Sequence, residues 1–267
     1  MVSQSPSTPV ADLPPQSPEK SVSEQVHLKN EDGHLMLILP PTQPVSSVEW
    51  GDLLQQVRQR LEASERFWQA QTPLQLQAGD RLLDTRQLQS LVETLGEAHL
   101  ILKRVVTSRR QTAMAAITLG CSVDQLADME HLNQSVPTPG QPLAAPLYLQ
   151  TTVRSGVDIR HPGTIMILGD TNPGSALVAD GDILVWGRLR GLAHAGASGN
   201  RQCRIMALQM QPTQLRIADL VARPPDSATT QYGPEVAYIG DNQGIRIALA
   251  EDFMRQQLSP RGLGFEP

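Results

Sequence analysis

A general base needs an imidazole set against a reacting proton and oriented by a third group. His161 and His194 fall in a glycine-rich stretch, but each is flanked by Ala, Arg or Pro rather than by an acidic orienter. A turn position suits them better than catalysis. Metal ligation has no better basis, because Cys121 and Cys203 lie 82 positions apart and form no ligand spacing. Asp170-Thr-Asn172-Pro-Gly174 opens like a calcium loop, yet its twelfth position is Gly181, where a bidentate Glu is required. The three lysines are Lys20, Lys29 and Lys103, and no Gly-x-x-x-x-Gly-Lys segment exists to cradle phosphates. Gly-x-Ser-x-Gly and His-Glu-x-x-His are absent too. The expectation is a chain that binds rather than reacts, with no cofactor and no metal.

Composition narrows what it binds. The chain has 267 residues, 40% hydrophobic but only 3% aromatic, so its cores must be aliphatic and thin. Its length suits two domains with linkers. A net charge of −5 speaks against a general nucleic-acid binder. From 152 onward there are eleven Arg, no Lys, and eleven Asp plus Glu. That balanced surface suits specific protein contact better than polyanion binding. No apolar run reaches the roughly 20 residues needed to span a bilayer. The start is neither basic nor apolar enough for a signal peptide. Sparse cysteine fits a reduced, cytoplasmic compartment.

The elements that would position a binding surface follow from patterning. Residues 1–26 are rich in Ser, Pro and Gln and read as a disordered tail. Over 27–107 a small α/β domain is expected. His34–Leu39 reads as a strand, and Ser46 with Glu49 as a capping box. Trp50, Leu53, Leu54, Val57 and Leu61 line one face of a helix near 47–69. Leu74–Leu76 is a strand, Thr85 caps a helix ended by Gly96, and His99–Val106 is a strand. Residues 108–151 read as a linker with partial helix, broken by Pro137, Pro139, Pro142 and Pro146.

Beyond Thr152 the glycines are periodic. Gly163, Gly169, Gly181, Gly187 and Gly199 share one phase of a six-residue period, and Gly156 and Gly174 stand 18 apart. Gly163-Thr-Ile-Met-Ile-Leu-Gly169 aligns with Gly181-Asp-Ile-Leu-Val-Trp-Gly187 under the same shift. A degenerate third copy opens at Gly199 and runs through Cys203, Ile205 and Ala207. Alternation along short strands sends Ile165, Ile167, Ile183 and Val185 one way, and glycine turns each corner. Three sides of about six residues make a coil of about 18, and stacked coils make a three-sided β-helix. Such a domain is expected over 152–250, followed by a C-terminal tail at 251–267. Small solenoids are marginal alone, so pairing across one face into a homodimer is expected.

Val153-Arg-Ser-Gly156, His161-Pro-Gly-Thr-Ile165, Ala179-Asp-Gly-Asp-Ile-Leu-Val-Trp-Gly-Arg-Leu-Arg-Gly191 and Ala195-Gly-Ala-Ser-Gly199 occur in that order. This combination resembles the C-terminal domain of the MinC family of septum site-determining proteins, and the small α/β domain is similar to that family's N-terminal domain. The resemblance implies a right-handed β-helix and a cell-division inhibitor with no catalytic reaction. The N-terminal domain would antagonise polymers of the tubulin-like protein FtsZ. The β-helix would dimerise, dock on the ATP-bound membrane ATPase MinD and also engage the FtsZ tail. The chain would thus lie in the cytoplasm and at the membrane's inner face only through MinD. The resemblance carries the MinD-binding surface to Arg154, Ser155 and Gly156; Val157 stands where the family usually has Gln. Asp170 and Arg190 join that surface as weaker candidates, from expected exposure alone. Two other β-helix readings compete: a hexapeptide-repeat acyltransferase with His161 or His194 as base, and a self-assembling bactofilin-like scaffold.

Overall fold

The computed structural model describes residues 25–31, 34–41, 50–64, 68–126, 144–222 and 233–258. The Pro-rich start, the Ser46–Glu49 capping box, the linker prolines Pro137, Pro139 and Pro142, and the residues after 258 lie outside them. The described chain is mostly β-sheet with a small α/β region on its N-terminal side.

That region begins with β1 (His27–Glu31) and β2 (His34–Ile38), an antiparallel pair. The helix α1 (Trp50–Ser64) buries Leu53, Val57 and Leu61, the stripe that its spacing predicts. β3 (Thr72–Gly79) and β4 (Leu100–Thr107) extend the sheet in parallel, with α2 (Thr85–Glu97) between them. The cap of α2 is Asp84, not Thr85. Its carboxylate accepts the Gln87 N–H at 2.7 Å while the Gln87 side chain accepts the Asp84 N–H at 3.1 Å. Gly96 lies inside the last turn, and the helix closes at Ala98.

The span expected as a linker holds three elements among its described residues. They are α3 (Arg110–Thr118), β5 (Ser122–Gln125) and β6 (Ala144–Leu149). The partial helix expected there is α3, which buries Ala113, Ala116 and Ile117.

After β6 the strands are short and regular: β7 (Asp158–His161), β8 (Gly163–Leu168), β9 (Ala176–Ala179), β10 (Ile183–Leu189), β11 (Leu192–Ala195), β12 (Ile205–Met210) and β13 (Gln214–Ile217). They form two parallel ladders, β6-β8-β10-β12 and β7-β9-β11-β13. Isolated parallel bridges join Val153 to Thr171 and Thr171 to Leu189, a third line of contact. Ile183 pairs with Ile165, Ala176 with Asp158 and Thr171 with Val153, each a step of 18 residues, while Leu192 pairs with Ala176 at a step of 16. Ile165, Ile167, Ile183 and Val185 are all buried, as the alternation predicts.

The third copy departs from the expected phase. Ile205 pairs with Ile183 and Gln214 with Leu192, a step of 22. Four residues are inserted, so Cys203 stands opposite Gly181, and Gly199 lies in the added turn instead of opening the repeat. Beyond it the ladders end in antiparallel strands: β14 (Leu220–Ala222) on β13, and β15 (Glu235–Ile239) on β12 with β16 (Ile245–Leu249) outside it. The helix α4 (Ala250–Leu258) follows, within the span expected to be tail. Its Phe253 ring sits 4.8 Å from Tyr238 and 5.0 Å beneath the Arg204 guanidinium.

Candidate partner-binding corner

Arg154, Ser155 and Gly156 form a turn between the Val153 bridge and β7. The Val157 N–H donates to the Arg154 carbonyl at 3.2 Å, and Gly156 takes φ +81°, a conformation that glycine adopts without strain. The next repeat turns the same way: the Ser175 N–H donates to the Asn172 carbonyl at 3.1 Å, and Gly174 has φ +80°. The two turns are bonded directly, Gly156 N–H to the Gly174 carbonyl at 2.8 Å. Ser155 Oγ lies so close to Gly174 that a Cβ there would come within 2.6 Å of it. All three residues of the first turn are exposed.

Arg190 stands two steps of 18 from Arg154, with Asn172 midway, so the three residues occupy one repeat position. The Arg190 Nη2 donates to Asn172 Oδ1 at 2.8 Å. Asp170 is half-buried and engaged within the fold. Its carboxylate accepts from Arg188 N at 2.9 Å and Arg188 Nε at 3.0 Å, and Arg190 Nη2 lies 3.6 Å away. The Arg188 backbone N–H, followed by the charges of Arg188 and Arg190, holds that carboxyl below the ordinary range despite an opposing cost of desolvation. Asp170 thus sets the arginines of this line, while Arg154 at its end makes no such internal pair among the described residues.

The histidines are built into the packing. His161 is buried, with Nδ1 3.2 Å from Gln125 Oε1 and Nε2 3.0 Å from the Ala145 carbonyl. Half-buried His194 holds the Ala218 carbonyl at 2.9 Å. Burial pushes both pKa values below 6.5, the carbonyl bonds oppose it, and arginine charges add to the lowering. The Cys203 thiol is pushed up to about 11, by burial first and then by Asp182 and Asp180, so it carries no nucleophilic thiolate at neutral pH.

A pH dependence follows. Unfolded imidazoles protonate near 6.5 and the folded ones only below it, so the unfolded chain binds more protons in that window. Stability is complete above about pH 6.5 and falls as pH drops toward the folded values. Thermal unfolding from about pH 7 to 5 should show a declining midpoint, with a flatter decline in a His161→Gln, His194→Gln double variant. An equal slope in that variant would contradict neutral burial.

Sequence reasoning missed one further feature, an apolar outer row on the β6-β8-β10-β12 ladder. Tyr148, Met166, Leu184 and Met206 are register neighbours across β6, β8, β10 and β12, flanked by Leu168 beside Trp186. Trp186 is 60% exposed and Leu168 42%, large values for such side chains. Alternation within β8 and β10 already encoded that row.

The family model for "Septum formation inhibitor MinC, C-terminal domain" matches residues 147–250. A protein of Nostoc sp. named "probable septum site-determining protein MinC" is 56% identical over 237 residues, covering 88% of this chain. The chain spans 64% of that relative's length. The namesake of Gloeobacter violaceus is 48% identical over 88% of this chain and 83% of its own. That of Thermosynechococcus vestitus is 50% identical over 84% and 81%. Among solved structures, a chain of the MinC:MinD cell division protein complex of Aquifex aeolicus is 36% identical, covering 43% of this chain and 97% of that one at a TM-score of 0.38. With relatives this similar over most of both lengths, the chain belongs to the septum site-determining protein MinC family.

Proposed function

We propose that this chain inhibits septum formation by binding alone, antagonising FtsZ polymers and reaching the membrane by docking on ATP-bound MinD. The observation that carries the reading is the identity to septum site-determining relatives, which extends over the α/β region as well as the repeats. The protein works in the cytoplasm and at the inner face of the membrane only through MinD. Among the described residues no helix is long and apolar enough to cross a bilayer.

The repeats are read as a right-handed three-sided β-helix. Two parallel ladders and a line of bridges, each containing a step of 18 residues, support it. The α/β region acts on FtsZ, and Arg154, Ser155 and Gly156 dock on MinD with Arg190 as an outer contact. The end of the winding opposes the scaffold reading, since antiparallel strands and α4 cover it. The bonds at both nitrogens of His161, and the carbonyl held by His194, oppose the acyltransferase reading.

The apolar outer row is assigned to a second copy of the chain. Trp is the strongest anchor at interfaces, and its removal costs about 2 kcal/mol or more, roughly 30-fold in Kd. Light scattering should therefore find a dimer, and Trp186→Glu a monomer of unchanged circular dichroism. A Trp186→Glu dimer of wild-type strength would move the interface to another face. A dimer presents two docking corners, and the paired contact lengthens membrane residence. The function is tested by co-sedimenting the chain with MinD and liposomes, with and without ATP. Recruitment that needs both MinD and ATP supports it; none, or recruitment indifferent to ATP, does not.

A further inference from the structure

The ten-stranded sheet continues past the α/β region into the repeats. β5 pairs in parallel with β4 on one side and with β7 on the other, so it belongs to both halves. A row of buried side chains, Leu76, Val105, Val123, Ile159 and Leu177, crosses this junction as successive register neighbours. No polar residue interrupts that row.

Polar contacts close over the same junction. The Asp124 carboxylate accepts from Arg104 Nη1 at 2.9 Å and lies 3.4 Å from Arg160 Nε, while Arg104 Nη2 lies 3.4 Å from Asp158. The hydroxyl of Ser122, itself buried, accepts the Asp158 N–H at 3.0 Å and faces the Gly156 carbonyl at 3.5 Å. Gly156 is the last residue of the candidate corner. A loose tether would instead leave the first repeat strand an open edge with unpaired backbone groups.

We infer that β5 welds the α/β half to the coil stack, and that Ser122 acts as a positioning residue bracing the docking corner from the other half. The weld stands on its own; the bracing role rests on the MinD-docking reading. The weld fixes the FtsZ-acting half at one orientation relative to the corner that holds the membrane partner. Ordering of the corner is then supplied by the fold rather than at the moment of docking.

The weld is tested by electron–electron distance measurement on the full chain. Spin labels go at exposed Arg86→Cys and Gln211→Cys, while the two native cysteines stay buried. Dilution with excess unlabelled protein confines the distances to one chain. One narrow distance population is expected, broadened by Val123→Pro, which removes a ladder donor from β5. A broad or multiple population in the otherwise unaltered chain overturns the weld, whether or not the proline variant folds. The brace is tested by vesicle recruitment. Ser122→Ala should lower it several-fold with unchanged circular dichroism, and Ser122→Thr, which keeps the hydroxyl, should restore most of it. Recruitment of Ser122→Ala equal to wild type overturns the brace. If even the unaltered chain is not recruited, the docking reading falls and the brace with it, while the distance result still judges the weld.

Discussion

Arg154→Ala will abolish ATP-dependent recruitment to MinD-coated vesicles while circular dichroism and the unfolding midpoint stay at wild-type values. The side chain is exposed on a turn whose backbone is held by its own bonds and by the repeat above it. Its removal therefore leaves no buried group unsatisfied and opens no cavity. An arginine at the centre of an interface commonly contributes about 2–4 kcal/mol, a loss of roughly 30- to 1000-fold in affinity. Dimer avidity multiplies that loss, because both corners weaken together. Asp170→Ala should act differently. It frees Arg188 and Arg190 and weakens docking only through them, with a smaller effect. Full recruitment of the Arg154→Ala chain would remove the corner from the docking surface.

The second large effect is on stability. Gly187 packs against the carbonyl of Gly169 in the repeat below, and a Cβ there would also come within 2.7 Å of Asp170 Oδ1. A backbone carbonyl, unlike the end of a flexible side chain, yields only if the chain around it shifts. Overpacking of this kind costs about 3 kcal/mol, or roughly 6–12 °C in Tm for a domain of this size. Gly187→Ala should unfold by about that much earlier in a thermal melt. Gly96→Ala is the control: it lies in the last turn of α2 with nothing within 4 Å of an added Cβ, so its midpoint should match or exceed wild type. An unchanged midpoint for Gly187→Ala would contradict the close stacking of the repeats.

What the sequence made legible followed from physics that leaves periodic marks. The paired runs at Gly163 and Gly181 encode both a strand alternation and a step, and both appear in the register of β8 and β10. The mark failed where the step changed. Four extra residues before Ile205 keep the ladder but shift its glycine phase, so Gly199 matched by arithmetic and not by position. The shared strand β5 left almost no trace, because Ser-Val-Asp-Gln offers one buried apolar residue, Val123, and its pairing lies 36 positions ahead at Ile159. β1 was missed for the same reason, with polar His27, Lys29, Asn30 and Glu31 around Leu28. The cap of α2 fell one residue early because Asp84 and Thr85 are both good cap residues, and the Gln at position 87 completes the box only with Asp84.

The corner was less legible than the fold. Arg154, Ser155 and Gly156 were singled out by family resemblance; only the glycine has a conformational reason visible in the chain. Asp170 was a candidate for its expected exposure, but its carboxylate faces two arginines that the 18-residue step stacks beside it. Ser122 had no sequence signal, since its two backbone partners belong to the other half of the chain.

The proposed activity is a limit on FtsZ assembly by contact alone. The most direct measurement is the mass of FtsZ polymer pelleted as the full chain is added, first by itself and then with MinD, ATP and liposomes. Polymer should fall as the chain rises toward the FtsZ concentration, and fall further once MinD gathers the chain on vesicles. Polymer mass unchanged at excess chain under both conditions would contradict it.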